Sequence, residues 1–236
     1  MIYKNKNGEV LHVELSSRKG KFVIPSRIAN YKCSEIEPED FIDCAELTYV
    51  KVPEGVTFIG DSAFYRCSSL TNIEIPESVD SIEASTFYGC HGLTSISLPD
   101  NLIDIGDSAF YKCIGLTSII IPNGVTHIGV LAFYGCNSLT SVTLPEGLIT
   151  IENDLFEYCT SLTNVNIPNG VVDIGPYAFY GCSSLTSIII PESVTFIAPF
   201  AFKGCTNLNV TINSSERNVH IAPNTFDGCK SVTWLK

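Results

Sequence analysis

The segment CIGLTSIIIPNGVTHIGVLAFYG, Cys113 to Gly135, decides the fold, because the chain repeats its pattern with little change. Cys113 belongs to a series, Cys44, Cys67, Cys90, Cys113, Cys136, Cys159, Cys182 and Cys205, spaced at a constant interval of 23 residues, and Cys229 follows after 24. Each of these cysteines closes an F-x-x-C motif, as at Phe64/Cys67, Phe110/Cys113 and Phe202/Cys205. A unit this short has one apolar side and buries it only against the next copy, so the chain is read as a solenoid. Within the unit, Leu116, Ile119, Ile121, Val125, Ile128, Ala132, Phe133 and Cys136 are read as pointing inward. The alternation of Ile119 and Ile121 has the period of two of a strand with one buried face. Equivalent strands should stack as a parallel sheet with a spacing of about 4.8 Å along the rod.

Proline follows each strand, at positions 53, 76, 99, 122, 145, 168 and 191. It lacks the amide proton a ladder needs and presets a turn. Turn formers such as Gly55, Ser78 and Asn101 stand two residues later. The D-S-A-F segment, as at Asp61 to Phe64, is expected to make one capped helical or 3₁₀ turn.

The ends depart from the pattern. Residues 2 to 14 read as a hairpin around Asn7-Gly8. Phe22 to Pro25 read as a degenerate strand-plus-proline copy, followed by a long loop that holds the odd Cys33. Residues 1–40 are therefore assigned to a hairpin and degenerate capping repeat, and 41–236 to a solenoid of about eight to nine coils. At the other end the chain stops inside a strand at Val232, Trp234 and Leu235, an open coil that invites end-to-end self-association or a continuation.

The motif C-x-x-L-T-x-I-x-I-P-x-x-V-x-x-I-G-x-x-A-F, with its 23-residue period, resembles the leucine-rich repeats of the BspA-like and Treponema-type bacterial proteins. The resemblance covers 41 to 236, and 18 to 40 more loosely. It implies a repeat solenoid with one short parallel β-strand per coil. It also implies a cell-surface or secreted adhesin-like protein whose partner is a host matrix protein or another surface protein. The N-terminal stretch Met1 to Lys6 has no apolar signal-like run, which leaves a cytoplasmic location as the alternative.

Net charge is -11 over 236 residues. Residues 1 to 40 hold seven Lys or Arg against six Asp or Glu, and the rest hold seven against nineteen, so the acidic part is the repeat body. A polyanion such as nucleic acid is an unsuitable partner for that body, and no run is apolar enough for membrane insertion. An odd column of nine cysteines has no natural pairing scheme and reads as structural thiols. His12, His91, His127 and His220 share no repeat position, so no metal or other cofactor is expected. No G-x-S-x-G, phosphate loop, H-E-x-x-H or C-x-x-C motif is present, and the chain is read as a non-enzyme.

Function must then use exposed strand slots. These are Tyr49, Lys51, Asn72, Glu74, Ser95, Ser97, Ser118, Ile120, Ser141, Thr143, Asn164, Asn166, Ser187 and Ile189. Flanked by Thr71, Thr94, Thr117, Thr140, Thr163 and Thr186, they form either a flat hydrogen-bonding surface for a protein or glycan, or simply what solvated strands accept. A second row, Tyr65, Tyr88, Tyr111, Tyr134 and Tyr180, with Tyr158 one place later, is explained by mutual stacking or by a secondary contact ridge. Three readings follow: a protein-interaction module, a carbohydrate or cell-wall binder, and a structural spacer of a longer surface protein.

Overall fold

The computed structural model describes residues 1–13 and 19–235. The expected hairpin end at residue 14, the start of the looser copy at 18, and Lys236 lie outside the described residues. The body is a right-through stack of coils with parallel strands and, among the described residues, no helix.

The strand side carries the segments expected from the Ile-x-Ile pattern, paired in parallel at the repeat interval. Ile119 faces Val142, which faces Val165; Val50 faces Ile73; Val210 faces Val232. The inward slots are closed to solvent: Leu116, Val125, Ala132, Phe133 and Cys136 are 0 % exposed. The phenylalanines form one continuous internal column from Phe41 to Phe226, with neighbouring centroids 4.9–5.6 Å apart and rings nearly parallel, as between Phe110 and Phe133 (5.3 Å, 0°). Their spacing exceeds the strand spacing slightly, as offset stacking requires.

A second parallel ladder runs down another side. It is built from two-residue strands at the V-x-x-I-G step: Ser81–Ile82, Asp104–Ile105 and His127–Ile128, then Thr150–Ile151, Asp173–Ile174, Phe196–Ile197 and His220–Ile221. The two ladders break at different junctions. Pairing on the strand side lapses between Asn72–Glu74 and Ser118–Ile120, and again between Asn164–Val165 and Ser187–Ile190. The second ladder lapses between Phe58–Ile59 and Ser81–Ile82, and between His127–Ile128 and Thr150–Ile151. Every junction in the body keeps at least one ladder.

The third side corrects the expected helical turn. The D-S-A-F-Y-x-C segment is a series of tight turns in which two positions per coil, four residues apart, take left-handed backbone: Ser62 and Arg66 at φ 55° and 56°, Ser108 and Lys112 at 55° and 52°. Such conformations cost about 1–3 kcal/mol at a non-glycine residue and persist only where the surroundings hold them. Here each is held by the next coil. Ser108, Phe110 and Lys112 donate their amides to the carbonyls of Val130, Ala132 and Tyr134, at 2.8, 2.8 and 2.7 Å. A helical turn would have closed those bonds within the coil and left nothing to join one coil to the next on this side.

The N-terminal cap contains β1 (Ile2–Lys4), β2 (Val10–His12), β3 (Gly20–Val23), β4 (Arg27–Ile28) and β5 (Tyr31–Ile36). β1 and β2 form the expected hairpin. β3 joins the strand side in parallel with Leu47–Lys51, as a degenerate copy should. The segment holding Cys33 is not a loop. It is β5, antiparallel to β1 and β4 and parallel to Phe58–Ile59, so it converts the second ladder into an antiparallel lid. Cys33 packs across from Tyr3, which is 0 % exposed and donates its hydroxyl to Pro25 O at 2.9 Å. The alternation that betrays a strand was masked by Lys32 and Glu35 on its outer face. The Met1 ammonium ties β1 to the turn before Cys44 through Glu37 (3.0 Å) and Asp40 (2.7 Å).

Truncating one member of the phenylalanine column leaves a cavity that rigid neighbouring coils cannot close. Phe133→Ala is expected to lower unfolding free energy by about 3–5 kcal/mol in urea titration, with the solenoid still folded at room temperature.

Candidate functional site

The exposed strand slots fall into two parts. In the first coils they are charged and engaged with one another: Lys51 Nζ lies 2.7 Å from Glu74, which also accepts from the Tyr49 hydroxyl. That contact holds the Glu74 carboxyl below its ordinary range and the Lys51 ammonium above its own. From Ser95 to Ile189 the face has no charge. Ser118, Ser141, Thr143, Asn164, Asn166 and Ser187 are exposed on it, and Ile120 and Ile189 stand out at 78 % and 59 % exposure.

Two expectations about this face are corrected. Ser95 and Ser97 are exposed but are not in a strand. Where pairing lapses, a shallow cleft of about 460 Å³ opens between Ser95–Leu98 and Ser118–Ile120, with Asp100 and Pro122 at its edge. The flanking threonines are not a ligand-facing surface throughout. Thr71, Thr117, Thr140 and Thr163 donate their hydroxyls to the carbonyls of Thr48, Thr94, Thr117 and Thr140, at 2.9–3.1 Å, and so tie coil to coil. Asn209 does the same to Thr186 O through its side-chain amide.

The tyrosine row is a stack. Tyr65, Tyr88, Tyr111 and Tyr134 follow each other with centroids 4.4–4.6 Å apart and interplanar angles of 18° or less. Tyr158 turns edge-on between Tyr134 and Tyr180 at 5.8 and 5.4 Å. The reason lies in the sequence Leu155-Phe156-Glu157-Tyr158-Cys159, where Glu157 holds the tyrosine slot and displaces the ring by one residue. Burial, aided by Asp154, pushes the Glu157 carboxyl up to about 7, and burial together with Glu157 pushes the Tyr134 hydroxyl up to about 12.

Beside the stack runs a slot that sequence reasoning passed over, the left-handed position just before each cysteine. From Cys67 to Cys182 it alternates between long side chains and glycine, Arg66, Gly89, Lys112, Gly135, Tyr158, Gly181, after which Gly204 and Gly228 follow. A Cβ added at Gly89 would sit 3.4 Å from Arg66 Cγ, at Gly135 3.3 Å from Lys112 Cγ, and at Gly181 2.9 Å from Tyr158 Cδ1. Each long side chain therefore lies over the glycine of the following coil. Arg66 also covers Tyr65 at 5.2 Å and Lys112 covers Tyr111 at 5.4 Å. The F-Y-x-C slot itself was the available signal.

The cysteine column faces inward. Cys67, Cys90, Cys113, Cys136, Cys159 and Cys182 donate their thiols to phenylalanine carbonyls 26 residues earlier, at 3.1–3.2 Å. Burial pushes Cys136 up to about 12. Among the described residues the ten cysteines are thiols rather than disulfides, and no group of His, Cys, Asp and Glu is placed to hold a metal. Cys33 likewise lies 2 % exposed, its thiol pushed up by burial.

The BspA type leucine rich repeat model matches the chain in six copies over residues 21–136 and 103–233. The chain belongs to this family. A leucine-rich repeat protein from Bacteroides ovatus is 31 % identical with TM-score 0.81, over 99 % of this chain and 69 % of its own. The T. pallidum leucine rich repeat protein is 31 % identical with TM-score 0.72, over 78 % of this chain and 87 % of its own. A pneumococcal vaccine antigen shares the fold at 18 % identity and TM-score 0.51, over 93 % and 76 % of the two chains. No curated protein matches.

A carboxyl whose pKa is raised on folding adds stability below its ordinary range and loses that contribution as pH rises through about 7. The wild-type melting temperature is therefore expected to fall between pH 5 and pH 8 by more than that of Glu157→Gln, which should melt higher at pH 8. Superimposable melting profiles would show that Glu157 is charged at no cost.

Proposed function

We propose that this BspA-type solenoid is a non-enzymatic interaction module that binds a protein partner along the uncharged part of its strand face. The observation that carries this reading is Ile120, 78 % exposed beside the cleft at Ser95–Leu98, with the hydroxyls of Ser97 and Ser118 near it and Asp100 at the cleft edge. An apolar anchor among hydrogen-bonding side chains, with charge kept to the rim, is the composition of an interface centre. A rigid stack also presents such a face with little ordering cost. The family resemblance supports a cell-surface or secreted setting, with a host matrix protein or another surface protein as the partner.

The carbohydrate reading is less well supported on the tyrosine ridge. From Tyr65 to Tyr134 the ring faces are spent on one another, so the platform a sugar ring would stack on is not presented. What remains outward is a row of ring edges and hydroxyls.

The purified chain should be screened against extracellular-matrix proteins and a glycan panel beside Ser118→Asp/Ser141→Asp and Ile120→Glu. Saturable binding to a protein, weakened at least tenfold in both variants at unchanged melting temperature, is the expected result. Protein binding that survives both variants would remove the strand face from the function, and glycan binding that both variants weaken, with no protein bound, would replace the protein partner with a sugar.

A further inference from the structure

A second cleft stands apart from the strand face. It lies on the N-terminal cap, has a volume of about 610 Å³, and is lined by Lys4, Asn5, Lys6, Asn7, Arg27, Asn30 and Lys32. That is four cations and three amides with no carboxylate among them, on a chain whose net charge is -11.

Strand register explains how the charges are assembled. Lys4 of β1 pairs with Lys32 of β5, and Lys32 pairs in turn with Arg27 of β4. Directly paired residues of antiparallel strands project to the same face with Cβ atoms about 4.5–5.5 Å apart, and like charges placed so repel. Three cations are thus aligned across three adjacent strands, on the face opposite the Tyr3–Cys33 contact. Lys6 reaches the same space from the hairpin turn, whose shape is set by Asn5: its Oδ1 accepts the amides of Asn7 and Glu9, each at 2.9 Å. Among the described residues Lys4 has an ion-pair partner in Glu35, and Glu54 stands across the adjoining cleft, which Lys4, Arg27 and Lys32 also line. An arrangement that raises the energy of the unliganded cap is relieved by a multiply charged anion.

We propose that this cleft binds a saccharide carrying two or more sulfate or phosphate groups. Arg27 and Lys32 would hold the oxyanions, Arg27 by its forked donors, and the Asn7 and Asn30 amides would take the sugar hydroxyls. The volume lies within the range of small-ligand sites, roughly 300–1,000 Å³. The cleft shares no lining residue with the strand face, so binding at either site is independent of the other.

The test is calorimetry or fluorescence titration of the full chain at low ionic strength. The probes are a sulfated uronic-acid disaccharide, its unsulfated counterpart, a bisphosphorylated hexose, inorganic sulfate and inorganic phosphate. The expected result is saturable binding of the sulfated or the phosphorylated sugar, the stronger arm naming the ester. It should weaken at least tenfold in Arg27→Gln/Lys32→Gln, and also as salt is raised to physiological strength, where charges are screened beyond about 8 Å. Lys21→Gln, a cation on β3 outside the cleft, should bind as wild type. Melting curves of both variants guard against loss of the cap. No binding by either charged sugar, or binding unchanged in the double variant, would overturn the proposal. Equal affinity for the bare inorganic ions would overturn the saccharide part of it.

Discussion

Backbone hydrogen bonds between one coil and the next are the constraint on which the structure depends. A 23-residue coil has too little interior to satisfy its own amides and carbonyls, and a buried unpaired one is expensive. Two parallel ladders and a third side of left-handed turns direct those groups along the rod. The period has to be constant because a coil of different length would put each donor opposite the wrong acceptor. The columns of Phe, Cys and Pro follow from that constancy: identical backbones present identical slots, and identical slots select the same side chain. The thiols belong to the same economy of bonding, since each offers a donor small enough to reach a carbonyl inside the stack.

Because packing consumes the inward slots and inter-coil bonding consumes four of the six flanking threonine hydroxyls, few side chains remain for recognition. They lie in two places of opposite character. The middle of the strand face is uncharged with isolated apolar points, and the cap is a nest of cations on an acidic molecule. The tyrosine stack, by contrast, is largely internal to the architecture, with faces occupied and only edges outward.

The repeat, its inward residues and the strand after Leu116 were legible because each recurs about eight times, so chance similarity at any single position was averaged away. Elements written once were harder to read. β5 carries Lys32 and Glu35 where a strand is expected to be apolar, and its role is to close the end of the stack, which has no second copy to compare. The second ladder escaped because two residues per coil show no alternation. The turn at Asp61 to Phe64 looked like a helix start because serine and aspartate cap helices, yet the slot is left-handed whether it holds Ser62, Leu131 or Tyr177, so bonding to the neighbouring coil, not residue type, decides it. The basic cleft was invisible because Lys4, Arg27 and Lys32 are far apart in the chain and meet only through strand register.

The staggered breaks in the two ladders bear on how the rod behaves under load. The inter-coil bonds lie parallel to the long axis, so tension applied end to end pulls on the junctions in series and would open them one at a time. A coil boundary lacking both ladders would yield first and set the strength of the whole. Offsetting the lapses, so that the boundary around Ser95 keeps the Ser81–Ile82 to Asp104–Ile105 pairing while the one after Phe58–Ile59 keeps Val50 against Ile73, leaves no such weakest link. A body made this way has no coil boundary that would part before the others for want of a ladder.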